Sequence, residues 1–450
     1  MSSFLFDKGP VIPPSPADVA EQCSGTPRLR VPHRGQIEIR YASLDELLEA
    51  EHPARAIWAT VCGLNLECWL GEIKAVEGNV GRNATDPRLL VALWVQATLD
   101  GIGSARELER LCSKHLAYQW LCGGVSVNHH SLSDFRGHEG WDDLLTQIVG
   151  TLLAEGLVTM QRVAQDGMRV RASAGKASFR RRGTLDKCLE DARQQIETLT
   201  QLADASPTEL NKRQRAARER AARERAERIK AAMDQCHEVQ EQRNATAKKS
   251  GRKPTEARAS TTDPEARVMQ FSDGGYRPGY NVQYSTDTET GVIVGVDCTN
   301  SGSDQDQLPP MLKQLRERYG RVPEEALVDG GFAALDAIDA AAEADCTVYA
   351  PLKDEHKQLR AGKDPYAKKR GDSVAVAAWR ERMGTAAGKA LYKLRAQTAE
   401  WVNAVSRNWG FRQMPVRGQP KCRTNALLYA VTHNLFQSIK LRTNIATASG

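Results

Sequence analysis

Three acidic residues of this 450-residue sequence stand where a carboxylate can do chemistry. Asp329 ends the apolar run Ala326-Leu327-Val328 and is followed at once by Gly330 and Gly331. A buried strand that ends on a charge and then gives up two side chains reads as a surface turn or as a site. In the second case the glycines let another backbone, or a phosphate, come close. A partner carboxylate decides between the two. Asp166 is the candidate: with Gly167 it centres "VAQDGMRVRASAG", which alternates around Val163 and Val170 as a strand does. Glu400 is the third acid, on a helix. Lys393 and Arg407 lie seven residues to either side, and two turns of helix take about 7.2 residues, so the three make a basic–acidic–basic stripe. Such a stripe suits a carboxylate that grips a metal beside phosphates; a solvated face is the alternative. A set of carboxylates is a hard, all-oxygen ligand set for Mg2+ or Mn2+. Two such ions about 4 Å apart activate an attacking oxygen and stabilise the leaving one.

The elements that must position these residues follow from periodicity and caps. Residues 36–155 read as helical. Asp86 and Pro87 open one helix, and Ser104 with Glu107 opens another as a capping box. Ser131 or Ser133 is expected to cap a third. Short helices joined by tight turns fit a helix-turn-helix module or a plain bundle, and both readings stand. Residues 1–35, rich in proline, read as a flexible arm. Residues 184–245 are polar and helical, with the repeat "RAARE RAARE" at 215–224, and suggest half of a helical hairpin. Residues 246–267 read as a linker by composition. Then come a hairpin over 281–298, a helix at 306–320, the strand ending on Asp329, a helix at 333–345, a strand at 346–351, and helices at 388–410 and 424–442. Without its insertion at 175–267, this order is that of a ribonuclease-H-like fold. Residues 156–174 and 268–442 would form that mixed α/β core, behind a helical N-terminal domain at 36–155. In such a fold the middle of the first strand and the end of the fourth lie side by side, which pairs Asp166 with Asp329.

The pieces "VAQDGMRVRASAG", "YNVQYSTDTETGVIVGVDCTN", "DGGF", "YKLRAQTAEWVNAVSR" and "THNL" together resemble the bacterial insertion-sequence transposases of the DDE type, in the group with a Tyr-Arg-Glu-Lys signature. The resemblance covers roughly residues 40–440. It implies that Asp166, Asp329 and Glu400 are a catalytic triad holding two Mg2+ or Mn2+ ions, and that Tyr392, Arg395 and Arg407 are the signature partners. It also implies cleavage at the ends of a mobile element and transfer of the freed 3′-hydroxyl into target DNA. Double-stranded DNA, as terminal inverted repeats and as target, would be the partner, with at least a dimer on it. The group's signature has three residues between Arg and Glu; here four separate Arg395 from Glu400. On a regular helix that turns Arg395 about 140° away. A decayed end-binding protein, or a structure-specific nuclease without strand transfer, are the competing functions.

The bulk numbers agree with a nucleic-acid partner. Net charge is only +6, yet cations gather in blocks at 169–183, 211–230, 247–253 and 363–371, which points to a polyanion. Arg169, Arg171, Arg180 and Arg181 of the first block are candidate DNA contacts. Arg106, Asn128, His129 and Arg136 are candidate base readers in the helical region. The insertion could track DNA backbone or make a dimer contact. The ten cysteines form no C-x2-C pair, which argues against a zinc ribbon and for reduced thiols in a cytoplasm; the resemblance implies a prokaryotic cytoplasm, close to the nucleoid. No long apolar run suggests a membrane span.

Overall fold

Polar side chains start four of the N-terminal helices. In the computed structural model, which describes residues 41–78, 83–205 and 209–448, His52 Nδ1 accepts from the Ala54 amide to open α1 (Pro53–Cys62). Asp86 accepts from the Arg88 amide at 2.8 Å and opens α2 (Pro87–Leu99) on its proline. Ser104 caps α3 (Ala105–Lys114) through the Glu107 amide, as its spacing suggests. α4 (Leu116–Cys122) stops on Gly123, which takes a left-handed φ of 52°. The cap of α5 (His129–Arg136) is Asn128, which accepts from the His130 and Ser131 amides. Ser131 and Ser133 lie inside that helix, so the expected serine cap is displaced upstream. α6 (Gly140–Ala154) completes the region. α2 is buried nearly all round, because α1, α4, α5 and the long C-terminal helix pack about it.

β1 (Arg162–Arg171) is the central strand of a mixed sheet. A second strand pair follows it: β2 (Phe179–Arg180) leads into α7 (Arg182–Ala205) and α8 (Glu209–Ser250), and β3 (Ala259–Ser260) returns to pair with β2. α7 and α8 pack on each other, so the insertion supplies both halves of its own hairpin. Leu185, Leu189, Ala192, Ile229 and Ala232 form its apolar seam. The expected linker is not loose. α8 runs to Ser250, and beyond it Ala257, Ala259, Ser260, Asp263 and Ala266 are buried. Asp263 accepts from Tyr280 Oη and the Gly418 amide. Composition misleads here because tertiary contacts, not hydrophobicity, order the segment.

β4 (Arg267–Gln270) and β6 (Ile293–Thr299) both pair with the same strand, β5 (Tyr276–Asp287), which lies antiparallel to β1. After α9 (Leu308–Tyr319), β7 (Glu325–Val328) pairs parallel with β1 on its other side. After α10 (Leu335–Glu343), β8 (Thr347–Tyr349) extends the parallel edge. Between the strand expected at 346–351 and the helix expected at 388–410, where the sequence suggests no element, lies α11 (Val374–Gly384). α12 (Ala386–Tyr392), a π-helical turn (Ala396–Glu400) and α13 (Trp401–Asn408) replace the single helix expected over 388–410. α14 (Gln419–Ala448) lies across α6, α2 and β6.

One apolar core extends from Leu48 through the sheet to Leu435, within a compact unit that starts at Leu44. Asp142 of α6 ties the two layers, pairing with Arg318 of α9 and with Arg423 of α14 at 2.9 Å. The "THNL" motif is part of this frame. Asn434 both accepts from the Ile293 amide and donates to its carbonyl. His433 Nε2 hydrogen-bonds Gly291 O at 2.8 Å. Burial lowers the His433 pKa to about 4, with that carbonyl opposing the shift, so the imidazole is neutral and donates. Among the described residues no helix is long and apolar enough to cross a membrane, and the described cysteines are free thiols. The expected arm at 1–35 lies outside the described residues.

Candidate active site

Strand register brings two of the acids together. Gln165 pairs with Val328 in the parallel ladder, so the next residues, Asp166 and Asp329, stand side by side where β7 ends. Asp329 accepts from the Gly330 amide at 2.6 Å and caps a short 3-10 turn, Gly330–Phe332. The turn reading of the D-G-G stretch is therefore correct as local structure, and Asp329 stays exposed beside Asp166.

The π-helical turn brings Glu400 in. An α-helix would place Arg395 and Glu400 on different faces, but a π turn closes i to i+5 and aligns residues five apart. Arg395 Nη1 lies 3.4 Å from Glu400 Oε1, and Arg395 Nη2 lies 2.9 Å from Asp166 Oδ1. The extra residue in the signature is absorbed by backbone geometry, and the expectation that it turns Arg395 away is corrected. Tyr392 joins them: burial raises its pKa, Arg395 opposes, and Asp329 and Asp166 add to the rise.

Asp166 is largely buried, with a side-chain exposure of 19%. Burial raises its pKa, Arg395 and the Gly167 amide oppose, and Asp304 and Asp329 push it further up. Burial also works against the charge on Arg395, but Asp166, Tyr392, Asp329 and Glu400 outweigh it and its pKa rises. A carboxylate that resists ionisation and has a guanidinium seated against it is a place that favours positive charge.

Two contributors escaped sequence reasoning. Asn403 is buried and donates from Nδ2 to Asp166 Oδ2 at 2.8 Å; its Oδ1 is buried without a partner. Its only signal is its position three residues after Glu400. Asp304 lies in the loop after β6 and accepts from Asn281 Nδ2 at 2.7 Å, Gln283 Nε2 at 2.9 Å and Arg169 Nη2 at 3.2 Å. Side chains alternate along a strand, so Asp166 and the absent side chain of Gly167 point to opposite faces. A Cβ on Gly167 would collide with Asp304 Oδ1. Gly167 thus makes room for a fourth carboxylate. Its signal was an acid in the polar loop "SGSDQDQ".

Of the candidate DNA contacts, Arg169, Arg171 and Arg407 line one cleft of about 680 Å3 beside Gly167, together with Arg277 and Arg412. Lys393 is exposed and lies outside this lining. Arg180 is exposed on β2, and Arg181 pairs with Glu256 at 3.1 Å, both at the root of the hairpin. In the helical region Arg106 is exposed, but three candidates have other work. Asn128 caps α5. His129 Nδ1 meets Glu109 Oε2 at 2.8 Å. Arg136 is buried, donates to Gly103 O, and stacks 4.6 Å over the Trp94 ring; burial lowers its pKa to about 10. Arg136 is a packing residue. On α8, Arg218 and Arg220 are exposed, and the side chains of Arg213 and Arg215 lie outside the described residues.

Among the described residues no three His, Cys, Asp or Glu side chains already converge as a metal cage. Asp166, Asp329 and Glu400 nevertheless fit a hard divalent cation in donor chemistry, and the Arg395 guanidinium marks where positive charge settles between Asp166 and Glu400.

The family described as "Transposase DDE domain" matches residues 240–435, and that described as "Transposase domain (DUF772)" matches residues 42–138. Asp329 and Glu400 fall inside the first match; Asp166 falls between the two. No curated protein and no solved structure matches the chain.

Proposed function

The chain belongs to the insertion-sequence transposases of the DDE type, and on that premise we propose that it binds the terminal inverted repeats of its element and catalyses DNA cleavage and strand transfer. The observation that carries this reading is the Arg395 bridge, which gathers acids from β1 and from the π turn beside the acid that ends β7. The strand order supports a ribonuclease-H-like core: an antiparallel run of β6, β5 and β1 is continued by parallel β7 and β8.

Asp166, Asp329 and Glu400 would hold the metal, taken as two Mg2+ or Mn2+ ions. When bound, such ions supply activation of an attacking oxygen and charge stabilisation of the leaving one. The remaining work falls to the chain's own groups. Asn403 and the Gly167 amide hold the Asp166 carboxylate in one orientation. Arg395 opposes the effect of burial on the Asp166 carboxylate. Arg171, Arg407 and Arg412, exposed and without carboxylate partners among the described residues, offer guanidinium forks to a phosphate backbone in the cleft beside Gly167. Water would cut the end, and the freed 3′-hydroxyl would attack the target by direct transesterification, with no covalent bond to the protein. Two ends cut together call for at least a dimer.

The test is a gel assay on labelled element-end DNA with target DNA present. Cleaved and joined products are expected with Mg2+ or Mn2+ and none with EDTA. Cleavage that survives EDTA contradicts the metal site. Cleavage without joining leaves a nuclease, and end binding with neither product leaves a decayed transposase.

A further inference from the structure

Two clefts meet at Gly302. One is the arginine cleft beside Gly167; the other, of about 630 Å3, lies between the end of α8 and the loop after β6. β4 runs past both, with Arg267 lining the second and Gln270 the first, a span of roughly 10 Å at 3.3 Å per residue. Arg169 Nη2 holds Gly302 O at 2.9 Å, so the saddle between the clefts is tied to the strand that carries Asp166.

Among the described residues the second cleft has no carboxylate in its lining. Two of its arginines build it. Arg243 donates to Thr255 and Glu256 carbonyls, and Arg267 donates to the carbonyls of Pro264, Glu265 and Ala266. Arg252 and Lys253 are different: both are exposed, and no acid pairs with either among the described residues. On the hairpin helices some arginines pair with an acid one helical turn away, as in Arg182–Asp186, Arg223–Glu219 and Arg228–Glu224, whereas Arg218 and Arg220 are exposed on α8, away from either cleft's lining. Lys248 and Lys249, in the last turn of α8, are explained by the helix dipole alone. Arg252 and Lys253 lie past the helix end, where that explanation lapses. Across the saddle, Arg171, Arg407 and Arg412 likewise lack acid partners.

We propose that the root of the helical insertion, through Arg252 and Lys253, grips the backbone of the same duplex that enters the arginine cleft. The two clefts form one phosphate track crossing at Gly302. The proposal rests on the transposase reading and assigns the insertion root to DNA rather than to a second subunit.

The experiment uses the full chain and a labelled duplex carrying the element end. Binding is measured across a salt series for the wild type, for Arg252→Gln with Lys253→Gln, and for Arg407→Gln. Each lost phosphate contact lowers the slope of log K against log[salt] by about 0.9. The double variant should lose about 1.8 of slope and Arg407→Gln about 0.9, with unchanged thermal unfolding, since these side chains are exposed. A wild-type protein that binds no duplex refutes the transposase reading itself. Wild-type binding with an Arg407→Gln shift but none in the double variant overturns the track alone. A double variant that changes sedimentation and keeps its slope overturns it in favour of a subunit contact. A shift in the double variant without one in Arg407→Gln overturns the single continuous track.

Discussion

Arg395→Met removes the guanidinium that bridges two acids, and its cost can be worked from exposure. The pair with Glu400 is worth little, because that carboxylate is 59% exposed and such pairs contribute about 0–1 kcal/mol. The pair with Asp166 is different, with side-chain exposures of 11% and 19%. Removing one partner of a buried pair costs about 3–5 kcal/mol. Asp166 keeps the Gly167 amide and Asn403 as donors and can take up a proton, so about 2–3 kcal/mol is expected here. The sign with pH is fixed by the direction of the Asp166 shift. Its folded pKa is raised, so the folded state binds the extra proton and stability falls as pH rises through that pKa. Loss of Arg395, which opposes the rise, moves the folded pKa higher still. Urea unfolding across a pH series should therefore show a destabilisation that grows as pH rises through the Asp166 titration. Arg395→Lys keeps the charge but cannot span both acids and should fall between. A cost below about 0.5 kcal/mol throughout the series, or one that does not change with pH, would refute the bridge.

Gly167→Ala pushes a methyl into Asp304 Oδ1 and brings it within 2.6 Å of Gln283 Nε2 and 2.7 Å of Asn281 Oδ1; it should cost about 2–4 kcal/mol, whereas Gly175→Ala, with open space around it, should be silent in the same thermal melt. His433 takes up its proton near 6.5 when unfolded and near about 4 when folded. Its contribution is complete above that range and disappears across it as pH falls, about 3 kcal/mol in all; stability of His433→Gln, followed by urea titration, should show a flatter acid limb.

The strand order and the pairing of Asp166 with Asp329 were legible because alternation, a terminal carboxylate and glycine turns are local signals. The position of Arg395 was not. A constant 100° per residue is the natural assumption, and the one warning, a single extra residue before Glu400, reads as a mismatch until the backbone answers with a π turn. α11 hid because "VAVAAWRERMG" offers no single apolar face and follows a basic loop. Arg136 looked like a DNA contact because sequence cannot show that the Trp94 ring lies beneath it. Asn403 and Asp304 escaped because each works on Asp166 across a distance in sequence that only the folded sheet closes.

The assignment of Asp166, Asp329 and Glu400 to one catalytic site is tested most directly by Asp166→Asn, Asp329→Asn and Glu400→Gln on labelled end DNA, with binding and cleavage scored in the same gel. Each substitution keeps size and removes a charge. Each variant should lose cleavage by about 100-fold or more, in line with removal of a key electrostatic group, while binding stays near wild type and Glu381→Gln, exposed on α11, cleaves normally. Wild-type cleavage by Asp329→Asn or Glu400→Gln, with loss in Glu381→Gln instead, would contradict it.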